Sequence, residues 1–303
     1  MNGIINVLKP PGMTSHDVVD YIRKQLKIKK VGHAGTLDPE AAGVLPICLG
    51  KATKAVQYLM DKKKKYRANI KFGITTTTYD KYGEIIKKIP TPDLDEKTVF
   101  ELINSFKGKV FQIPPMYSAI KYKGKKLYQY AKEGQNIDIK GRWVEIFDIV
   151  LVDKIRKDEF IIDITCSKGT YIRTLCNDIG EKSGYGAHMS QLIRLEVSPF
   201  IIEESSTLED IYDAVRENTI NKFILPTDVL FSEFDIIQIK KSAEKSVLNG
   251  NPIFAPGLKD DIENYKIGTI VRIYNDDKFL ALGTVEFDEK QNRNYVRIKT
   301  LFT

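Results

Sequence analysis

V-G-H-A-G-T-L-D-P-E-A-A-G-V-L-P-I-C-L-G-K-A-T-K, residues 31–54, carries one aspartate, Asp38, between Leu37 and Pro39. Proline fixes its own φ and biases the residue before it away from helical geometry, so the Asp38 carboxylate belongs to an extended or turning segment. Gly32, Gly35 and Gly43 permit close backbone approach or positive φ on both sides. The apolar run that follows, with Val44, Leu45, Ile47 and Leu49, reads as a buried strand on which the loop is mounted. A phosphate-binding loop is excluded despite the Gly50-Lys51 pair. Ala52 stands where a magnesium-binding hydroxyl is needed, and position 45 is Leu rather than Gly.

Upstream, residues 4–8 predict a short buried strand that ends in the turn Lys9-Pro10-Pro11-Gly12. Thr14 or Ser15 then caps a helix with one apolar stripe of Val18, Val19, Ile22 and Leu26. Downstream, Ala52, Val56, Leu59 and Met60 have helical spacing, and Tyr66, Ala68, Ile70 and Phe72 alternate as the inner face of a strand. Residues 73–83 form a hydroxyl-rich loop, and Asp95 caps a helix carrying Val99, Leu102, Ile103 and Phe106, with Gly108 beyond its end. Residues 143–152 and 159–167 predict a hairpin with a polar tip at 154–158, followed by a helix over 171–182. Thr207-Leu-Glu-Asp210 reads as a capping box. From about Asp235 the pattern changes to short alternating runs with turns at Asn249-Gly250, Pro256-Gly257 and Asn275-Asp276-Asp277, a small β-barrel-like domain.

At 303 residues the chain can build two cores, and its mean hydropathy of -0.27 fits a soluble protein. Lys9 interrupts the only apolar run near the N-terminus, which predicts neither a signal peptide nor a membrane span. Three cysteines and three histidines show no metal-ligand spacing, so the expectation is a cytoplasmic protein without metal or cofactor. The net charge of +7 is unevenly placed. Residues 51–71 hold eight bases against one acid, and residues 107–142 hold nine against two. Focused positive charge suits a polyanion such as the phosphate backbone of a nucleic acid. In residues 113–142, tyrosines and lysines interleave, a composition suited to stacking on bases while ammonium groups meet phosphates.

G-H-x-G-T-L-D-P-x-A-x-G-V-L-P resembles the central motif of the bacterial tRNA pseudouridine synthase B family, with Asp38 at the position of that family's catalytic aspartate. The likeness continues through the K-P-x-G-x-T-S segment at Lys9, K-x-Y-x-A at Tyr66, C-S-K-G-T-Y-I-R-T-L at Arg173 and G-A-H-M-S-Q-L-I-R-L at Leu192. After Asp235, L-N-G-N-P-I, V-R-I-Y and F-L-A-L-G-T-V resemble the PUA domain, an RNA-binding module.

The resemblance implies an α+β fold: a mixed, mainly antiparallel sheet flanked by helices, then a small C-terminal β-barrel-like domain. The expected division is a catalytic domain over 1–232, with an RNA-gripping insertion at 113–142, and a PUA domain over 233–303. It implies conversion of uridine 55 in the tRNA T-loop to pseudouridine by base flipping, without cofactor, guide RNA, protein partner or membrane, by a monomer.

Asp38 then acts as nucleophile or as proton-abstracting base, Arg173 pairs with it, and Tyr66 stacks on the target base. Lys9, His33, Asp80, Leu192, Tyr117, Lys121, Lys123, Lys125 and Lys126 are the expected substrate-binding residues. Thr77 and Tyr82 stand where relatives more often carry acids, while Asp80 keeps its register. A non-catalytic RNA-binding or tRNA-folding protein on the same fold is the alternative. Joint retention of Asp38, Tyr66 and Arg173 argues against it, since binding alone needs none of that set.

Overall fold

The computed structural model describes residues 1–135 and 137–303. β1 (Gly3–Lys9) leads into α1 (Ser15–Leu26), where the Thr14 hydroxyl accepts from the Asp17 amide and the Asp17 carboxylate accepts from the Thr14 amide. Two orphan donors at the helix start are thereby satisfied. β2 (Val31–His33) and β3 (Ala42–Leu49) flank the Asp38 loop. A 3-10 segment (Gly50–Ala55) then enters α2 (Val56–Asp61), which leaves Met60 exposed although its spacing suggested the apolar stripe. β4 (Lys64–Phe72) buries Tyr66, Ala68, Ile70 and Phe72 on one face, as strict alternation requires.

β5 (Ile74–Thr76) and β6 (Ile85–Lys88) pair around the hydroxyl-rich loop, and Asp95 caps α3 (Glu96–Asn104). β7 (Gly108–Gln112) follows, and the insertion contributes β8 (Lys121–Tyr122), β9 (Lys125–Lys126) and α4 (Leu127–Lys132). β10 (Arg142–Arg156) and β11 (Glu159–Cys166) form the hairpin the sequence suggests, but with a tighter tip. Lys154 pairs with Phe160 and Arg156 with Glu159, so the ladder runs through residues that composition assigned to the turn. Register shifts between Leu151 and Asp153 and between Lys154 and Arg156 break the two-residue period that marks a strand in sequence.

α5 (Ile172–Ser183) stops at Gly184, where φ is +81. β12 (Ala187–Val197), β13 (Phe200–Ile201) and α6 (Leu208–Arg216) complete the first part of the chain, and Thr207 forms the expected capping box. The remainder holds β14 (Asp235–Gln238), α7 (Glu244–Leu248), β15 (Ile253–Phe254), β16 (Ile270–Asn275), β17 (Lys278–Asp288) and β18 (Arg293–Leu301).

The main sheet runs β1-β3-β12-β4-β11-β10-β7, with β2 on β3 and β13 on β12. Among the described residues its one parallel strand pairing joins β3 to β12 through Ile193↔Ala42 and Arg194↔Gly43, at the foot of the Asp38 loop. Gly43 has φ +117, and a Cβ there would strike the Arg194 backbone, so only glycine permits this approach. α3 and α5 cover the inner faces of β4, β10 and β11 through Val99, Ile103, Leu175 and Ile179.

The second sheet runs β14-β16-β17-β18-β15. Leu282 and Phe302 from this region share a buried cluster with Ala52, Ala55, Leu59 and Phe231. Tyr58 also hydrogen-bonds Thr300 at 2.7 Å, and Lys54 donates to the Leu301 carbonyl at 2.8 Å.

Candidate active site

Short side chains and buried cations hold the loop between β2 and β3. The Ser15 hydroxyl accepts from the Leu37 amide at 2.8 Å, and Gly12 donates to Pro39 at 2.9 Å. The Lys9 ammonium donates to the carbonyls of Pro10 (2.7 Å), Pro39 (2.9 Å) and Ala41 (2.7 Å). An ammonium has three protons, so Lys9 is fully used, and its side chain has no exposed surface. It braces the loop around Asp38 through these three carbonyls. Burial lowers its pKa to about 8.

Asp38 emerges from this brace with 40% of its side chain exposed, while Arg173 keeps only 6%. The Arg173 guanidinium meets both carboxylate oxygens, Nε at 3.0 Å from Oδ2 and Nη2 at 3.3 Å from Oδ1. Such forked pairing suits the planar geometry of both groups. The same guanidinium donates to the Asp80 carboxylate at 3.2 Å and to the Tyr117 carbonyl at 2.9 Å. Arg173 therefore ties the Asp38 loop, the hydroxyl-rich loop and the start of the arm together. Surrounding protein raises the Asp38 pKa above its ordinary value. The Arg173 charge opposes that rise, the Asp80 charge adds to it, and Lys9 opposes it.

Asp80 is itself fixed. Its Oδ1 accepts from the Thr78 hydroxyl at 2.6 Å and from the Tyr82 amide at 3.0 Å. The Thr77 hydroxyl accepts from the Glu84 amide at 3.1 Å. Hydroxyls thus close this loop, and the Tyr82 ring stays exposed.

Tyr66 lies opposite Arg194 in the β4–β12 ladder, and Leu192 lies opposite Ala68. The phenol is buried, which raises its pKa, with the Arg194 charge acting against the rise. His33 ends β2 half-buried, and burial pulls its pKa below the ordinary histidine value.

On the arm, Lys123 and Gly124 take positive φ and turn the β8–β9 hairpin. Lys123 lies over the Tyr122 ring at 5.5 Å, Lys125 over Tyr130 at 4.9 Å and Lys126 over Tyr128 at 5.7 Å. Lys125 also pairs with Glu133. The interleaving of tyrosine and lysine is therefore partly an internal framework of the arm, with Lys121, Lys123 and Lys126 exposed at its tip.

Sequence reasoning missed Arg194, Ser15 as a loop brace, and Lys64. Arg194 is the largest fully buried side chain among the described residues. Its Nε donates to Val44 at 2.7 Å and its Nη2 to Gly35 at 3.1 Å. One signal was available. Arg194 follows Leu192 by two positions in a strand, so it shares the inward face. Lys64 is likewise inward on β4, donating to the Met60 (2.9 Å) and Lys62 (2.8 Å) carbonyls, and burial lowers its pKa to about 8.

Comparison with known proteins places these motifs. Residues 23–172 match the N-terminal domain of the TruB family pseudouridylate synthases, residues 173–232 match the tRNA pseudouridylate synthase B C-terminal domain, and residues 235–299 match the PUA domain. A tRNA pseudouridine synthase B from Alkaliphilus oremlandii is 48% identical over 99% of this chain and 98% of its own length. One from Caldanaerobacter subterraneus is 43% identical over 100% and 99%. Among solved structures, a Cbf5-Nop10-Gar1 complex contains a chain 30% identical with TM-score 0.75, covering 99% of this chain and 85% of that one. An H/ACA RNP bound to a substrate RNA containing 2'-deoxyuridine gives 28% identity and TM-score 0.74, covering 99% of this chain and 85% of that one.

Proposed function

The chain belongs to the TruB family of pseudouridylate synthases, and from that premise we propose that it isomerises uridine 55 in the T-loop of tRNA to pseudouridine. The observation that carries this reading is the forked Arg173–Asp38 pair, with Tyr66 and Leu192 on the adjacent strands β4 and β12. Binding RNA requires no carboxylate held by a buried arginine, whereas rearranging a glycosidic bond calls for one.

The target nucleotide leaves its stack to reach Asp38. Asp38 assists departure of uracil from C1′, the N1–C1′ bond breaks, the ring turns, and C5 bonds to C1′. The C5 proton is then lost and N1 regains one, so atoms balance without an external reagent. Arg173 holds Asp38 in place and ionised during this sequence. Tyr66 stacks on the base. His33, at the loop edge, helps to open the RNA.

We assign residues 1–232 to catalysis and residues 233–303 to gripping tRNA outside the T-loop. The arm at 113–142 grips the stem beside the cleft through its lysines. The protein acts as a monomer in the cytoplasm, a reading supported by three unpaired, buried cysteines. The test uses purified protein and an unmodified T-stem-loop transcript carrying tritium at C5, with no other protein or RNA. Stoichiometric tritium release and one pseudouridine by carbodiimide mapping are expected. No release from either the stem-loop or full tRNA overturns the reading.

A further inference from the structure

Arg194 carries a full charge at zero exposure, and among the described residues no carboxylate lies within ion-pair distance of it. Desolvating a guanidinium without a counter-ion is costly, so its contacts must be good. They are unusually placed. On β12, Arg194 stands opposite Gly43 of β3 on one side and opposite Tyr66 of β4 on the other. Its Nη2 reaches Gly35, upstream of Asp38, and its Nε reaches Val44, downstream of it. Directly opposed residues of an antiparallel pair share a face of the sheet, so the Arg194 and Tyr66 side chains lie on the same side. One side chain thus spans both ends of the loop that presents the carboxylate and the strand that presents the aromatic ring.

We propose that Arg194 is the positioning residue that sets the spacing and orientation of the Tyr66 phenol relative to the Asp38 carboxylate. A guanidinium offers only donors. A phenol oxygen that meets it can only accept. Lys9 braces the middle of the same loop, at Pro39 and Ala41, but meets neither Gly35 nor Val44. The two buried cations therefore have separate duties: Lys9 shapes the turn, and Arg194 ties that turn to Tyr66.

The inference rests on the isomerase reading, which wild-type conversion tests separately. The experiment compares Arg194→Lys, Tyr66→Phe and the double variant, using single-turnover tritium release and stem-loop dissociation constants. A misplacement of about an ångström in the reacting groups lowers rates about 100-fold, so Arg194→Lys should lose about that much in rate. RNA affinity should stay within about threefold, because binding depends mainly on phosphate contacts. In the Tyr66→Phe background the same substitution should cost less than about threefold, the sign of two residues acting through one function. Equal losses in both backgrounds, or a loss of affinity matching the loss of rate, overturn the proposal.

A measurement on otherwise native protein guards against a variant that fails to fold. The Arg194 guanidinium should give a slowly exchanging NMR signal in the wild type that moves in Tyr66→Phe. An unmoved signal also overturns the proposal.

Discussion

Lys9 and Arg194 meet the Asp38 loop with no exposed surface, whereas Lys121, Lys123 and Lys126 stand exposed on the arm at the other side of Arg173. Both regions are basic and both are tied to Arg173. In the loop, Lys9 spends all three of its protons, and Arg194 its Nε and one Nη2 proton, on carbonyls of the chain, which fixes backbone geometry. On the arm, lysines rest on tyrosine rings and leave their charge in water. Buried cations hold backbone in place, and exposed cations remain available to a polyanion. Tyr117 joins the two regions, since its carbonyl accepts from the guanidinium that pairs with Asp38.

The largest effect expected from this contrast comes from the loop itself. Asp38→Asn should abolish turnover while tRNA binding stays within roughly tenfold, about 1.4 kcal/mol. Turnover within a few-fold of wild type, measured in single-turnover assays, would remove Asp38 from the mechanism.

Lys9→Met tests the brace. It strands the Pro10, Pro39 and Ala41 carbonyls without their donor and should lower unfolding free energy by about 3 kcal/mol. Chemical denaturation reads this directly, and an unchanged midpoint would show that the loop holds its shape without Lys9.

The arm should respond in the opposite way. Replacing Lys123, Lys125 and Lys126 by Ala should change stability by under about 1 kcal/mol, as exposed pairs do. It should weaken binding of both tRNA and stem-loop and flatten the salt dependence by up to roughly 0.9 log unit per lost phosphate contact. Wild-type affinity with an unchanged salt slope would reduce the arm to a solvated loop.

The smallest expected effect concerns pH. Because the Asp38 pKa is raised, its protonated, inactive form persists to higher pH than in an ordinary aspartate, and the rate falls correspondingly early on acidification. The Asp80 charge contributes to that rise, so Asp80→Asn should move the acid limb to lower pH, by less than about one unit. The triple arm variant should leave the limb in place. A limb that rises in Asp80→Asn would show that Asp80 acts only by holding Arg173.

Local features of this chain were legible from sequence because their physics is local. The alternation from Tyr66 to Phe72, the caps at Asp95 and Thr207 and the apolar run after Asp38 each depend on neighbours a few positions away. The motifs also marked the family, since their spacing is a property of the string itself. The ladder through Lys154 to Arg156 was not legible, because bulges erase the period by which a strand is recognised. Nor did composition after Asp235 show that Leu282 and Phe302 complete a core begun by Ala52 and Leu59.

The fate of the charges was decided by tertiary structure alone. By default Arg173 reads as surface charge. It is buried because Asp38, Asp80 and Tyr117, distant in sequence, converge on it. Arg194 and Lys9 look like ordinary basic residues until β3, β12 and the loop supply carbonyls for their protons. A buried charge is tolerable only where such partners gather, and only the assembled fold brings them together.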